Sequence, residues 1–343
     1  MQPEPLSPDM LEQEQFAKLP AEWRNSLAVL ILGALAVALL AAREWAEMAH
    51  QWWNIDTYTH ILLVPVIAGW LVFLKLGELS KITPRPWMPG LTIVAAALAL
   101  WVVGRSSGVN IIAHAGAVGA VQGVVVTALG PRVSLVLALP IAFSAFLVPI
   151  GDEFIGPLQS ITADIAVTLT HWSGIPAVID GIYIDTPIGL FIVAEACSGV
   201  KFLVAMVTLA VLVAFTRFES WLRRAAFLLA AIIVPIIANG IRAWGTIYIA
   251  QSQGVEFAAG FDHIFYGWIF FAVVVAIILA AAWQFFEREP EDSGWSASQV
   301  AAFPWVDRLE AGSISPIVAI AGIAALTIGS GLIAAIVVPA ALG

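Results

Sequence analysis

Apolar residues recur along this chain in long runs, at roughly 26–42, 60–76, 90–104, 110–129, 133–149, 199–215, 225–249, 264–286 and 314–338, separated by short polar stretches. A helix rises ~1.5 Å per residue and a bilayer's hydrocarbon core is ~30 Å thick, so ~20 apolar residues make one crossing. Lipid offers the backbone no hydrogen-bond partner, which makes helix the required form for each crossing. The pattern therefore predicts an all-α polytopic membrane protein with about nine transmembrane helices.

One long interval breaks the rhythm. Between 150 and 196 there is no Lys or Arg, while Asp152, Glu153, Asp164, Asp180, Asp185 and Glu195 are all present. Within it Phe154, Leu158, Ile161, Ile165, Leu169 and Trp172 recur every three or four residues, with Gln159, Thr162 and Thr168 off that stripe. That spacing predicts an amphipathic helix lying along the membrane surface. Further on, Gly181-Ile182-Tyr183-Ile184 and Leu190-Phe191-Ile192-Val193 flank Asp185-Thr186-Pro187-Ile188-Gly189, which predicts a short hairpin around a Gly/Pro turn.

The positive charges orient the chain, because cytoplasmic loops accumulate Lys and Arg. With the N-terminus inside, Lys18, Arg24, Lys75, Lys81, Arg85, Arg132, Arg217, Arg223, Arg224, Arg288 and Arg308 fall inside and only Arg43 and Arg105 fall outside, eleven against two. The 150–196 interval is then extracytoplasmic. The first 25 residues are Pro/Glu-rich and polar, and lead into an apolar run with no cleavable signal in front of it, so the first span should remain as an anchor. The resulting organisation is a mobile cytoplasmic tail over 1–25, a membrane core over 26–286, a cytoplasmic linker over 287–313 and a further C-terminal transmembrane helix over 314–343. In that last helix Gly322, Gly329 and Gly331 are suited to helix contact, and no residue is ionisable.

Composition agrees: 61% of the 343 residues are hydrophobic and 11% charged, with a mean hydropathy of +0.94. Soluble domains run at roughly 45–50% apolar and 25% charged. A net charge of −9 without a basic cluster excludes nucleic acid as a partner and leaves membrane lipid as the surroundings.

The chemistry concentrates on Glu195-Ala196-Cys197-Ser198-Gly199-Val200-Lys201, which holds the one cysteine of the chain. A lone cysteine forms no disulfide within its own chain, and without clustered His or carboxylates it makes no metal site; no cofactor is implied either. It is a buried filler or a nucleophile. Ser198 is a good N-cap, so the sulfur should lie at a helix N-terminus with Lys201 on the same face, and both features favour the thiolate.

Ionisable residues within spans are costly, which makes each a candidate. Arg242, in Asn239-Gly240-Ile241-Arg242, lies toward the outer end of the seventh run; His263 opens the eighth from the same side. A thiolate needs an acid/base partner, which His supplies, and the tetrahedral intermediate of acyl transfer needs a donor for its oxyanion, which Arg supplies. His60, in Asp56-Thr57-Tyr58-Thr59-His60, is a further candidate for the pocket, with Glu195, Lys201 and Asn239 in supporting roles. His114 and His171 lack polar company and read as structural, and His50, among Trp45, Trp52 and Trp53, reads as interfacial.

The ordered set of Glu195-Ala196-Cys197-Ser198-Gly199, then Asn239 to Arg242, then His263 to Gly267-Trp268 resembles the exosortase/archaeosortase family of membrane transpeptidases over most of 26–286. Asp56 to His60 is similar to the family's Tyr-Ser-His stretch, with Thr for Ser. The resemblance implies that Cys197 is the nucleophile and that Arg242 and His263 complete a Cys/Arg/His site. It also implies substrates that are secreted proteins with a C-terminal sorting tail of the PEP-CTERM kind, built from a short motif, a membrane helix and a basic cluster. Cutting would occur at the outer face of a bacterial inner membrane, with possible transfer to a cell-surface acceptor. A transporter or scaffold of an exopolysaccharide export system is the rival reading. The sequence leaves the oligomeric state, the sorting motif and the acceptor open.

Overall fold

The computed structural model describes residues 20–255 and 267–338. In chain order the main helices are α1 (Ala21–Leu40), α2 (Ala42–Asn54), α3 (Val64–Leu74), α4 (Gly90–Ser107), α5 (Asn110–Val136), α6 (Ala138–Phe143) and α7 (Ile155–Trp172). Three short strands follow, β1 (Val178–Asp180), β2 (Tyr183–Thr186) and β3 (Gly189–Ile192). The chain then continues through α8 (Val200–Arg217), α9 (Trp221–Gln253), α10 (Gly267–Trp283), α11 (Ala297–Ala301), α12 (Pro304–Glu310) and α13 (Pro316–Val337).

The fold is all-α and polytopic, with one small sheet. Among the described residues six helices are long and apolar enough to cross a membrane, or up to eight if each of two bent pairs counts as one crossing. The nine apolar runs thus do not map onto nine straight helices. The boundary between the fourth and fifth runs shows why. Gly130 takes φ 75° and ψ 176° within α5, directly before Pro131, and the chain then breaks again into the short helix α6. Proline removes a backbone donor and clashes with the preceding turn, so an apolar run containing it need not be one rod.

The chain forms two compact units. One takes the chain up to Ala49, Val64–Val148 and the part from Gly294 onward; the other takes His50–Leu63 and Pro149–Ser293.

In the first unit α1, α4, α5 and α13 pack together through Val29, Val37, Val94, Leu98, Val124, Ala319 and Ile323, all essentially buried. Small residues set the spacing, as is usual for helices in lipid. A Cβ added at Gly104 or Gly116 would run into the backbone of the facing helix, at Ala113 and Trp101 respectively. Gly322 lies against Leu91 and Gly331 against Leu40, as expected of contact glycines, whereas Gly329 has nothing within 4 Å. Part of the 287–313 stretch folds into this unit: Val300 and Val306, from α11 and α12, are buried beside Leu129 and Val133. Arg132 pairs with Asp307 at 2.6 Å and Glu310 at 2.9 Å.

The same unit corrects the reading of His114. Its Nε2 lies 3.4 Å from Glu47 Oε2, and the neighbouring Glu44, 2% exposed, pairs with Arg105 at 3.1 Å. The polar company comes from α2, more than sixty residues away in sequence, so local spacing could not reveal it.

In the second unit α7, α8 and α9 pack side by side, and the sheet lies on α7 and α9. β1, β2 and β3 are consecutive antiparallel neighbours. Thr186 and Gly189 close a two-residue turn at Pro187-Ile188, so the expected hairpin is present with a tighter turn than Asp185–Gly189. A second tight turn, with Gly181 at φ +60°, adds the unforeseen strand β1. Positive φ is costly for any residue with a Cβ, which explains the glycine.

The expected helix is present as α7, but its apolar stripe is not its packing face. Leu158, Gln159, Thr162, Ala163, Ala166, Val167 and Thr170 are buried, while Phe154, Ile161 and Trp172 of the apolar stripe are exposed. The face holding small and polar residues packs together with Leu158 and Ile165 of the stripe, and Gly240 of α9 lets Ile165 come so close that a Cβ there would overlap it. Buried Gln159 and Thr162 are hydrogen-bonded, as buried polar groups must be.

Candidate active site

Cys197 ends a single 3₁₀ turn, Glu195–Cys197, between the end of β3 and the start of α8. The helix N-cap position is Gly199, at φ 84°, and not Ser198. The Ser198 hydroxyl nevertheless accepts from the Val200 N–H at 3.3 Å, so it satisfies one of the first-turn donors. The sulfur therefore sits one short turn ahead of a helix N-terminus, where the peptide dipoles favour negative charge. The side chain is half-buried.

Asn239 on α9 fixes this turn. Its Nδ2 donates to the Cys197 carbonyl at 2.9 Å and to Thr162 Oγ1 of α7 at 3.0 Å. A Cβ on Gly199 would lie 2.8 Å from Asn239 Cγ, so the glycine provides both the left-handed backbone and the room for the amide. Gln159, one helical turn before Thr162, donates to the Val193 carbonyl at 2.7 Å and ties the end of β3 to α7.

Arg242, three residues after Asn239, is 8% exposed. It faces the same cleft as Cys197: Ile184, Phe191, Ile192, Val193, Cys197, Asn239, Arg242, Ala243, Thr246 and Ile247 line a small open cavity of about 70 Å³. The walls are mainly apolar, so the charge of Arg242 acts on the thiol side of the cleft at lower dielectric than in water, where Coulomb terms are larger.

The structure thus brings Cys197, Asn239 and Arg242 together. His263 lies outside the described residues, as do Glu256 and Asp262. His60 does not line the cleft; its Nδ1 lies 3.0 Å from the Thr57 carbonyl, which assigns the proton to that nitrogen. Glu195 is exposed, and Lys201 places its ammonium 5.1 Å from the Phe202 ring centroid; neither lines the cleft. Nearby, the buried Tyr58 donates to Asp152 at 2.7 Å, and burial, reinforced by that carboxylate, raises the phenol above its ordinary range. Among the described residues no group of three or more His, Cys, Asp or Glu is placed to hold a metal ion.

Sequence reasoning missed Gln159, Thr162 and the β3 wall. A signal was present for the first two: polar residues three apart, on one side of the apolar stripe.

These features define a multi-pass membrane protein in which the one cysteine and a buried arginine share a cleft between a small sheet and a long helix. The chain belongs to the transmembrane exosortase family, whose model matches residues 52–280. No curated protein and no solved structure matches it.

Proposed function

We propose that this exosortase is a membrane-embedded cysteine protease or transpeptidase. In this reading it removes the C-terminal sorting tail of secreted proteins at the extracytoplasmic face of a bacterial inner membrane and passes the new C-terminus to water or to a cell-surface amine. The observation that carries the reading is the shared cleft of Cys197 and Arg242, with Cys197 ahead of a helix N-terminus. The bias of Lys and Arg toward one set of loops supports the orientation, with the N-terminus cytoplasmic.

The substrate's tail helix lies among the spans and presents its peptide bond to the cleft. The Cys197 thiolate attacks the carbonyl carbon, and the Arg242 guanidinium stabilises the oxyanion that develops. The C–N bond then breaks, and the leaving amine takes a proton from His263. The acyl group is left on sulfur as a thioester. Attack by water or an amine on the thioester carbonyl expels the Cys197 thiolate and releases the product, with His263 recovering its proton from the attacking group.

The test is processing of a secreted reporter carrying a short motif, one membrane helix and a basic cluster, read as product mass. Cys197→Ala should abolish tail removal while the protein still accumulates in the membrane. Unchanged processing by that variant overturns the reading. The mass of the new C-terminus separates hydrolysis from transfer.

A further inference from the structure

The sheet ahead of Cys197 ends in an open edge. Among the described residues, β3 has a strand neighbour on one side only, β2. The register assigns its backbone groups: Val193 N–H donates to the Ile182 carbonyl at 3.0 Å, Phe191 stands opposite Ile184, and Gly189 opposite Thr186. In an antiparallel ladder the N–H and C=O of one residue point the same way, and the direction alternates along the strand. Gly189, Phe191 and Val193 therefore bond to β2, while Leu190 and Ile192 turn their groups away from it. The Ile192 carbonyl is occupied by the Ala194 N–H at 3.0 Å. Among the described residues, the N–H groups of Leu190 and Ile192 and the Leu190 carbonyl have no hydrogen-bond partner.

Among the described residues, this edge carries none of the usual protections. Strand edges are commonly blunted by Lys, Pro, bulges or covering segments, because unpaired edges capture other chains. Gly189-Leu190-Phe191-Ile192 contains neither charge nor proline, and Leu190 and Ile192 are 64% and 52% exposed. The strand also borders the candidate site, since Phe191, Ile192 and Val193 wall the cleft that holds Cys197 and Arg242.

We infer that β3 is a docking edge: the extended segment preceding the membrane helix of a tailed substrate adds to it as a fourth strand and is thereby led to Cys197. The inference rests on the function proposed above. Strand addition draws affinity from main-chain hydrogen bonds and reads alternate side chains through the pockets they meet. An enzyme that must accept many different secreted proteins gains from such a mode, since the backbone is common to all of them.

The experiment uses a secreted reporter whose tail the wild-type enzyme removes, with proline placed at one position at a time through the segment before the tail helix. Proline lacks the N–H that would meet β3. Processing should fall about tenfold at every second position and much less at those between, a loss on the scale of one or two backbone hydrogen bonds. On the enzyme, Leu190→Pro removes an outward N–H and spares the β2–β3 ladder. It should lower processing similarly while Cys197 keeps its wild-type rate of alkylation by iodoacetamide. The substrate scan leaves the enzyme untouched, so it decides even where an enzyme variant fails to accumulate. A scan without two-residue alternation overturns the docking edge; if Cys197→Ala still abolishes processing in that case, the protease reading stands. Continued processing by Cys197→Ala overturns the protease reading itself.

Discussion

The Asn239 amide donates to the Cys197 carbonyl at 2.9 Å across 42 residues of sequence, so the long helix α9 holds the turn that presents the thiol. Because Arg242 follows one turn later on the same helix, one element positions both the thiol-bearing backbone and the guanidinium.

Asn239→Ala should therefore lower tail processing more than it lowers stability. Removing a partner from a buried acceptor costs about 1–3 kcal/mol, and here both the Cys197 carbonyl and Thr162 lose one. Asn239→Asp cannot donate and should be no better than Ala. Processing rate and thermal unfolding in detergent, measured together, check this; equal effects on both would mean that the residue is only structural.

Gly199→Ala should be as damaging as any change in the turn. The left-handed backbone disfavours a Cβ by about 1–2 kcal/mol, and the new methyl would lie 2.8 Å from Asn239 Cγ. The double variant Gly199→Ala with Asn239→Ala removes the clash and leaves the backbone strain, so its cost should fall below the sum of the singles. A double-mutant cycle on thermal stability reads the difference.

Glu287 caps α9 from outside the helix. Its Oε2 accepts the Ser220 N–H at 2.8 Å and the Glu219 N–H at 2.6 Å, and its other oxygen pairs with Arg223 at 3.0 Å. The hydrogen bonds from Ser220 and Glu219, aided by Arg223, hold this carboxyl below the ordinary carboxylate range. A lowered folded-state value means that the ionised cap stabilises above the ordinary range and that this contribution fades as pH falls through the lowered value. Glu287→Gln should be less stable than wild type at neutral pH, with the gap closing as the pH falls below the ordinary carboxylate range. Unfolding temperatures across that pH series are the check.

Gly104→Leu and Gly116→Leu should separate α4 from α5. Each side chain would be forced into the backbone of the facing helix, and overpacking of this kind costs about 1–3 kcal/mol or more. Gly329→Leu, where nothing lies within 4 Å, should be tolerated. Expression level and unfolding temperature distinguish the three.

The sequence was most informative where the signal is one-dimensional. Uniform apolar runs announce helices in lipid, and alternating short runs around Pro187 announced the hairpin. It was least informative where partners come from afar. Glu47 reaches His114 from another helix, Thr162 meets Asn239 across 77 residues, and neither pairing leaves a local trace. The stripe on α7 misled for a related reason: next to lipid, large apolar side chains can face outward while small and polar ones pack within. The bend at Gly130-Pro131 was visible as residues but not as geometry, because proline is compatible with a kink, a break or a straight first turn.

The sheet's outer face has a practical side. Val178, Tyr183, Leu190 and Ile192 lie on one side of it, from 45% to 70% exposed, together with Asp180 and Asp185. Such a greasy outcrop, set between α7 and α8, will cling to tubes, resins and neighbouring copies once the native bilayer is stripped away. Purification in nanodiscs, or with a surfactant whose micelle extends over the strands, should keep the enzyme monodisperse, whereas a small-micelle surfactant that belts only the helices should let it clump.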